Sequence, residues 1–477
     1  MRLDETRWIL GGGIDAEWRW VHKRRLDDAR RGLREAKTRL AREAPVSVRR
    51  ARYGAALDFL LRAKGPEADR ALAHPALDYW IALWKSHFAK ACPEEDWRLQ
   101  YGLAAGFAAA LALKQGARLE CDATLDPDGS FYLHGLPWAL DFPGASRAAV
   151  RVSVKFGVLT VSGQGVDAAF ALKDAAPGGP ARRLDEVVPG MVVDDRGWLQ
   201  LHGVTMHGLL RLEDEARHAF AATIGTAIRD MAERDPRLHA EMTDLLSVLV
   251  PLQNPMNHGS VSSSYTTIRG LIALSPSDDP LLQAETLIHE FCHMKLNQLL
   301  AAEPLFLPGQ SGQVYYSPWR PDARRLRGLL IGAHAFLNVG RYLARSLQRE
   351  ELPDEKRLEI MSNVARRLYQ VEAALAASTE HGSFTEFGHR FVLGMWRELG
   401  LLRHAVLWFP PALVAEQRAE HEKHRAERSL AGTWLHKTPE LVDAVPRPAF
   451  APAGRPAPAP EPAAPAAPAE PAAGSAA

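Results

Sequence analysis

PLLQAETLIHEFCHMKLNQLL, residues Pro280 to Leu300, holds the run His289-Glu290-Phe291-Cys292-His293 on which both fold and chemistry turn. Asp279 followed by Pro280 is a good N-cap and first-turn pair. Ala284, Leu287, Ile288, Phe291 and Leu299 supply an apolar stripe, so the spacing predicts a helix with the motif at its middle. Histidines four residues apart project from one helix face about one turn apart, and both imidazoles can then reach one metal ion. Glu285, one turn before His289, falls on the same face and is placed to hold an imidazole N–H from behind. Upstream, SSYTTIRGLIAL (Ser263 to Leu274) predicts a strand feeding this helix. A strand beside a HExxH helix is the layout of zincin-type metal sites.

The third ligand separates the chemistries. No Gly and third His follow His293 closely, because the next residues are MKLNQLLAAEPL. The helix expected next, Leu326 to Leu347, contains no acid, and its one metal-binding candidate is His334. The loop before it, Tyr315-Tyr316-Ser317-Pro318-Trp319-Arg320-Pro321-Asp322, offers the carboxylate Asp322; Glu303 lies only a few turns past His293. Asp322 and His334 are therefore alternative third ligands, with the carboxylate favoured. Two histidines, a carboxylate and open positions suit non-heme Fe(II) and oxygen. Two histidines, a third ligand and water suit catalytic Zn(II), with Glu290 as the general base of a peptidase.

Around this centre the chain is ordinary in composition. It has 477 residues, 47% hydrophobic and 24% charged, with 58 Lys+Arg against 57 Asp+Glu. That balance excludes a nucleic-acid coat or a polybasic membrane binder. Cys92, Cys121 and Cys292 are too few and scattered for a disulfide framework or thiolate cage, which points to a reduced, cytoplasmic setting. MRLDETRWILGGG lacks the basic start and apolar core of a signal peptide. The longest apolar stretch, Gly102 to Leu113, falls short of the roughly 20 residues that span a bilayer.

The expected architecture is α+β and predominantly helical. Residues 1–114 read as a helical region, with Trp18, Val21, Leu26, Leu33 and Leu40 at helical spacing among many arginines. Trp80, Trp84 and Phe88 repeat every four residues and read as core. Residues 115–212 read as β-rich: a hairpin around Pro127-Asp128-Gly129, one strand alternating through Val150, Val152, Val154, Phe156 and Val158, and further strand in GWLQLHGVTMHGLL. His134, His202 and His207 lie there at no ligand-like spacing. Residues 213–445 read as a mostly helical metal-binding part, with helices through EARHAFAATIGTAIRDMAERD and RLHAEMTDLLSVLV. Residues 446–477, almost all Ala and Pro, read as a disordered tail.

Three segments together, ETLIHEFCHMKLNQLL, YYSPWRPDARRLRGLLIGAHAFLNV and TEFGHRFVLGM, resemble the HExxH-motif peptide-modification proteins, regarded as α-ketoglutarate-dependent peptide β-hydroxylases of ribosomal peptide pathways. The resemblance covers Ser260 to Met395, and the YSPWR-type loop downstream of HExxH is its most specific part. Ala323 stands where the family has proline, and Cys292 where it favours glutamine. The resemblance implies Fe(II), α-ketoglutarate and O2 as cofactors and a peptide substrate, which the basic N-terminal helices would dock. It implies an arginine for the distal carboxylate, for which Arg320, Arg324 and Arg390 are the candidates. Glu290 would then orient a ligand or substrate. The fold would not be the double-stranded β-helix of better-known 2-oxo acid oxygenases.

Overall fold

The computed structural model describes residues 4–87, 93–174, 179–195, 208–254, 259–309, 312–349 and 351–430. Phe88, Cys92, His202, His207, most of GWLQLHGVTMHGLL and the expected tail lie outside them. The architecture is α+β, about 59% helix and 16% strand, so helices dominate. No helix among the described residues is long and apolar enough to cross a membrane.

The chain opens with α1 (Glu5–Ile9), α2 (Ala16–Glu43), α3 (Val46–Arg50), α4 (Tyr53–Arg62), α5 (Pro66–Leu72), α6 (Pro75–His87), α7 (Glu94–Gly102) and α8 (Ala104–Gln115). Asp15 caps α2 by accepting from the amides of Glu17 and Trp18. Trp80 and Trp84 of α6 are core, as their spacing implies. Five of the ten arginines and lysines of α2 are paired with acids, Arg25 with Asp78, Arg30 with Asp69, Arg31 with Asp28, Lys37 with Asp58 and Arg39 with Glu43.

Two small antiparallel sheets follow. One joins β1 (Leu119–Thr124), β4 (Ala149–Lys155), β5 (Val158–Gly163) and β6 (Val166–Ala171); the other joins β2 (Ser130–Leu133), β3 (Trp138–Asp141) and β7 (Ala181–Arg183). The expected hairpin at Pro127-Asp128-Gly129 is therefore only a turn between sheets. β1 takes six residues of register with alternating β4, more ladder than four-residue β2 can offer. The expected single strand over Val150–Val158 is two strands. Phe156 (φ 53°) and Gly157 (φ 76°) both take left-handed backbone, a two-residue hairpin turn that leaves Phe156 exposed in spite of the alternation.

A third sheet has the order β11 (Ser262–Ser264), β12 (Leu271–Leu274), β10 (Val248–Pro251), β9 (Met191–Val193) and β8 (Asp185–Val188). β10 runs parallel to β12 and β9, while β11 and β8 are antiparallel ends. Its central strands separate two cores by simple alternation. Val248, Val250, Leu271 and Ala273 face the core of α2, α4–α8 and the first two sheets. Leu249, Ile272 and Leu274 face the core of the remaining helices: α9 (Asp214–Arg234), α10 (Pro236–Leu245), α11 (Pro280–Ala302), α12 (Leu326–Ser346), α13 (Asp354–His381) and α14 (Glu386–Val406). α15 (Pro411–Leu430) packs on α13. Strands buried on both faces read as unbroken apolar runs. This is why the helix expected through SVLV stops at Leu245 and the run becomes β10. The strand expected over Ser263–Leu274 is likewise β11 and β12, folded back on each other.

Sequence blocks and cores do not coincide. β8 and β9, from the middle block, extend the sheet beneath the HExxH helix, and Trp8 and Ile9 of α1 belong to that helix's core. A buried polar clamp holds α1 there. Lys295 of α11 donates to Glu241 Oε2 (2.7 Å), to the carbonyl of Arg7 (2.7 Å) and to that of Leu10. Glu241 Oε1 accepts the amides of Gly12 (2.9 Å) and Gly13 (3.1 Å). Gly11 has no room for a side chain, since a Cβ would stand 2.5 Å from the backbone nitrogen of Leu238.

Both members of this ion pair are almost wholly buried, so removing one leaves an uncompensated charge. Lys295→Met is expected to cost about 3–5 kcal/mol, with much of it restored in the double variant Lys295→Met/Glu241→Gln. Urea unfolding checks this; a loss of less than about 1 kcal/mol, as at an exposed pair, would contradict it.

Candidate metal centre

α11 begins as its sequence dictates, with Asp279 accepting from the amide of Leu281 and Pro280 in the first turn. Leu287, Ile288, Phe291 and Cys292 face the core and so fix the rotation of the helix. His289 and His293 are then neighbours, with ring centroids 4.3 Å apart and planes at 72°. Nδ1 of each ring is buried and has no hydrogen-bond partner. Burial pushes His289 well below the usual histidine range, helped by the neighbouring His293 and Arg367. Burial also lowers His293, against the opposing pull of Glu290. Both rings are therefore neutral at pH 7, the state in which imidazole binds metal.

Glu290 turns the other way, toward the sheet. Its carboxylate oxygens accept from Ser262 Oγ (2.7 Å) and Ser264 Oγ (2.5 Å), alternate residues of β11 that project to one face. Glu285 does not hold His289, whose Nδ1 is unpaired. Burial raises the Glu285 carboxyl, and Arg367 and Arg366 pull it back down.

The wall beside the imidazoles comes from α12, α13 and the loop between β13 (Val314–Tyr315) and β14 (Arg324–Arg325), strands that pair and close the loop at its base. Phe336 lies 4.6 Å from the His289 ring and 5.2 Å from Trp319, centroid to centroid. Gly332 makes room for the indole, since a Cβ there would stand 2.2 Å from it. The Arg367 guanidinium sits 4.2 Å from the Phe336 centroid.

The other expected site residues are engaged elsewhere. Asp322 is paired with Arg320 (3.0 Å) and Arg324 (2.9 Å). Burial would raise its carboxyl, but these two arginines hold it below the usual range. Arg390 pairs with Glu386 (2.7 Å) and with Glu5 (3.2 Å), tying α14 to α1. His334 is fully buried and its Nε2 donates to the carbonyl of Trp8 (2.7 Å), while Asn338 donates to that of Ile9 (2.8 Å). Asp322 answers two arginines, and His334 gives its Nε2 to a backbone carbonyl while its buried Nδ1 has no partner. Among the described residues no group of three His, Cys, Asp or Glu side chains is placed to hold a metal.

Phe336 and Arg367 escaped the sequence reading. One signal was there for Arg367, which falls three residues after Val364 and four before Val371, on the apolar stripe of α13. Cys121 and Cys292 are free and buried, and burial pushes both thiols up to about 12, so they are inert. A cavity of 710 Å3 is lined by His22, His74, Lys114, His239 and Asp244 among others. None of His289, His293, Trp319, Phe336 and Arg367 lines it.

Among the described residues the histidine pair thus stands without a third protein donor. It provides two adjacent neutral imidazoles with their Nδ1 atoms unpartnered.

Buried neutral histidines also set a pH dependence. His334 and His134 are pushed down to about 3 by burial, so below about pH 6.5 the unfolded chain binds protons that the folded chain refuses. Stability is then complete above that pH and is lost as pH falls toward the folded values. Between pH 6.5 and 5, above the carboxylate range, each such histidine contributes a slope approaching about 1.4 kcal/mol per pH unit. His334→Asn is expected to flatten the fall in urea midpoint across this window; an unchanged slope would contradict the assignment. Compared with protein-family models and with curated proteins, the chain matches none.

Proposed function

We propose that the protein is a metal-dependent oxygenase that holds Fe(II) through His289 and His293 and, with α-ketoglutarate and O2, hydroxylates the Cβ of a residue in a ribosomally made peptide. One observation carries this reading: two neutral imidazoles in ring contact, each with a buried unpaired nitrogen, on a helix beside a sheet edge. A strand beside the HExxH helix is what a zincin-like layout would require, and the segments that resemble the peptide hydroxylases contain Trp319 and Phe336, which stand beside His289. When bound, Fe(II) with a 2-oxo acid and O2 supplies removal of a substrate hydrogen and return of a hydroxyl.

The chain's own residues position and exclude. Glu290, tied to Ser262 and Ser264, fastens the imidazole-bearing helix to β11. β11 ends its sheet among the described strands, so an extended peptide has a backbone edge to pair with beside the motif. Phe336 and Trp319 keep water from one side of His289. The peptide is assigned to this edge rather than to the N-terminal helices because the edge adjoins the helix that bears the histidine pair.

A zinc peptidase using Glu290 as base is the second reading, favoured by the motif itself. Against it, both oxygens of Glu290 already accept serine hydroxyls. A non-catalytic peptide-binding module is the third, favoured by the lack of a third protein donor among the described residues.

Anaerobic reconstitution with Fe(II), α-ketoglutarate and a candidate peptide is expected to release succinate and add one oxygen to the peptide. Peptide cleavage without α-ketoglutarate would establish the peptidase instead. Glu290→Gln is expected to leave hydroxylation largely intact, whereas loss of a peptidase's general base costs about 10²–10⁴-fold. His289→Ala is expected to abolish metal retention, and metal content equal to wild type would overturn the site.

A further inference from the structure

Unmet donors away from the histidine pair surround a separate, small cavity. It has a volume of 100 Å3 and opens between α2, the loop from β11 to β12 and the last turns of α11. Arg24 and Arg25 of α2, Arg269 of the loop and Gln298 of α11 line it. Arg25 is only 1% exposed, and its Nε is buried without a partner, as is Nε2 of the buried Gln298.

Three guanidiniums share one carboxylate here. Asp78 accepts from Arg25 Nη2 (2.9 Å) and from Nη2 (2.7 Å) and Nε (3.2 Å) of Arg269. Arg24 makes no ion pair among the described residues, and its guanidinium lies 5.1 Å from the Trp20 centroid. Asp28, the acid that lines the cavity, is paired with Arg31. Asp244, the next acid to act on Arg25, accepts from Trp18 Nε1 (2.7 Å). Burial drives the Arg25 guanidinium down to about 10 against the pull of Asp78, and Arg269 adds to the fall. The carbonyls at the end of α11 carry about half a negative charge, too little to balance the two cations in excess.

Excess positive charge around a buried guanidinium is costly unless an anion meets its donors. At roughly 30 Å3 per water molecule, 100 Å3 holds about three waters or one tetrahedral oxyanion. Such an oxyanion accepts from several guanidinium forks and an amide at once, whereas a carboxylate offers only two oxygens. We propose that Arg24, Arg25, Arg269 and Gln298 form a binding site for a phosphate group. The bound anion would join α2 to the helix that carries His289 and His293 and to the loop after β11. Neither histidine lines the cavity, and the site stands independently of the metal-centred reading.

The test uses calorimetry and thermal melting of the full-length protein. Inorganic phosphate, sulfate, O-phosphoserine and acetate are each compared with NaCl at matched ionic strength. Phosphate and sulfate are expected to bind saturably and to raise the Tm, as a ligand that prefers the folded state must. Arg24→Gln, at an exposed position, is expected to weaken phosphate roughly 10-fold or more, the factor for losing a hydrogen bond to a charged group. Arg25→Lys keeps a charge for Asp78, gives up the Nε donor and is expected to weaken phosphate likewise. Gln298→Leu is expected to weaken it too, yet without ligand to keep or raise the Tm, because it removes an unsatisfied buried donor. That contrast separates loss of the site from loss of the fold. Equal binding of O-phosphoserine would support the site and assign it to a phosphate monoester on a larger molecule; binding of the inorganic ions alone would support it as a free-ion site. Acetate bound as tightly as phosphate overturns the proposal. So does phosphate affinity unchanged in both Arg24→Gln and Gln298→Leu, or no saturable effect beyond that of NaCl.

Discussion

The Lys295–Glu241 pair is the constraint on which the half of the molecule that bears the HExxH helix depends. It lies inside the protein, where neither charge is tolerable alone, and it is completed by four backbone groups of residues 7–13. Lys295 stands two residues after His293, about 200° around the helix, so the clamp grips the side away from the imidazoles. His334 and Asn338 of α12 grip the same segment through the carbonyls of Trp8 and Ile9. The first turn of the chain therefore ties together two neighbouring helices, one bearing the histidine pair and the other bearing Phe336.

The five-stranded sheet gives the second constraint. Strands only four residues long serve two cores at once because successive side chains point to opposite faces. A helix laid on this sheet has its height and rotation set by Leu287, Ile288 and Phe291, and Glu290 then fixes its lateral position by reaching two serines on the end strand. Packing gives the coarse placement and a carboxylate the fine one.

How much of this was legible follows from the range of each interaction. The α11 cap, the apolar stripe and the shared face of His289 and His293 are local, and the sequence analysis reads them directly. Period-two alternation misleads at Phe156, where a left-handed turn keeps the pattern but reverses the chain. It fails again at Val248–Pro251, because a strand buried on both faces has no alternation to show. Asp322 looked like a ligand by its position in the loop, yet two arginines that were themselves expected to hold another carboxylate hold this one. The N-terminal clamp joins residues 288 apart, and no local pattern marks such a contact. Arg367 is hidden for a similar reason: nothing in α13 says that its apolar stripe faces an imidazole on another helix.

Phe336 has a consequence of its own. Its two faces and rim serve as common ground for a nitrogen heterocycle, a cation and an indole, which belong to three separate segments of chain. A tilt of that single phenyl would alter a contact with all three together. A substitution at this one position is thereby felt at once by the HExxH helix, by the arginine helix and by the tryptophan loop.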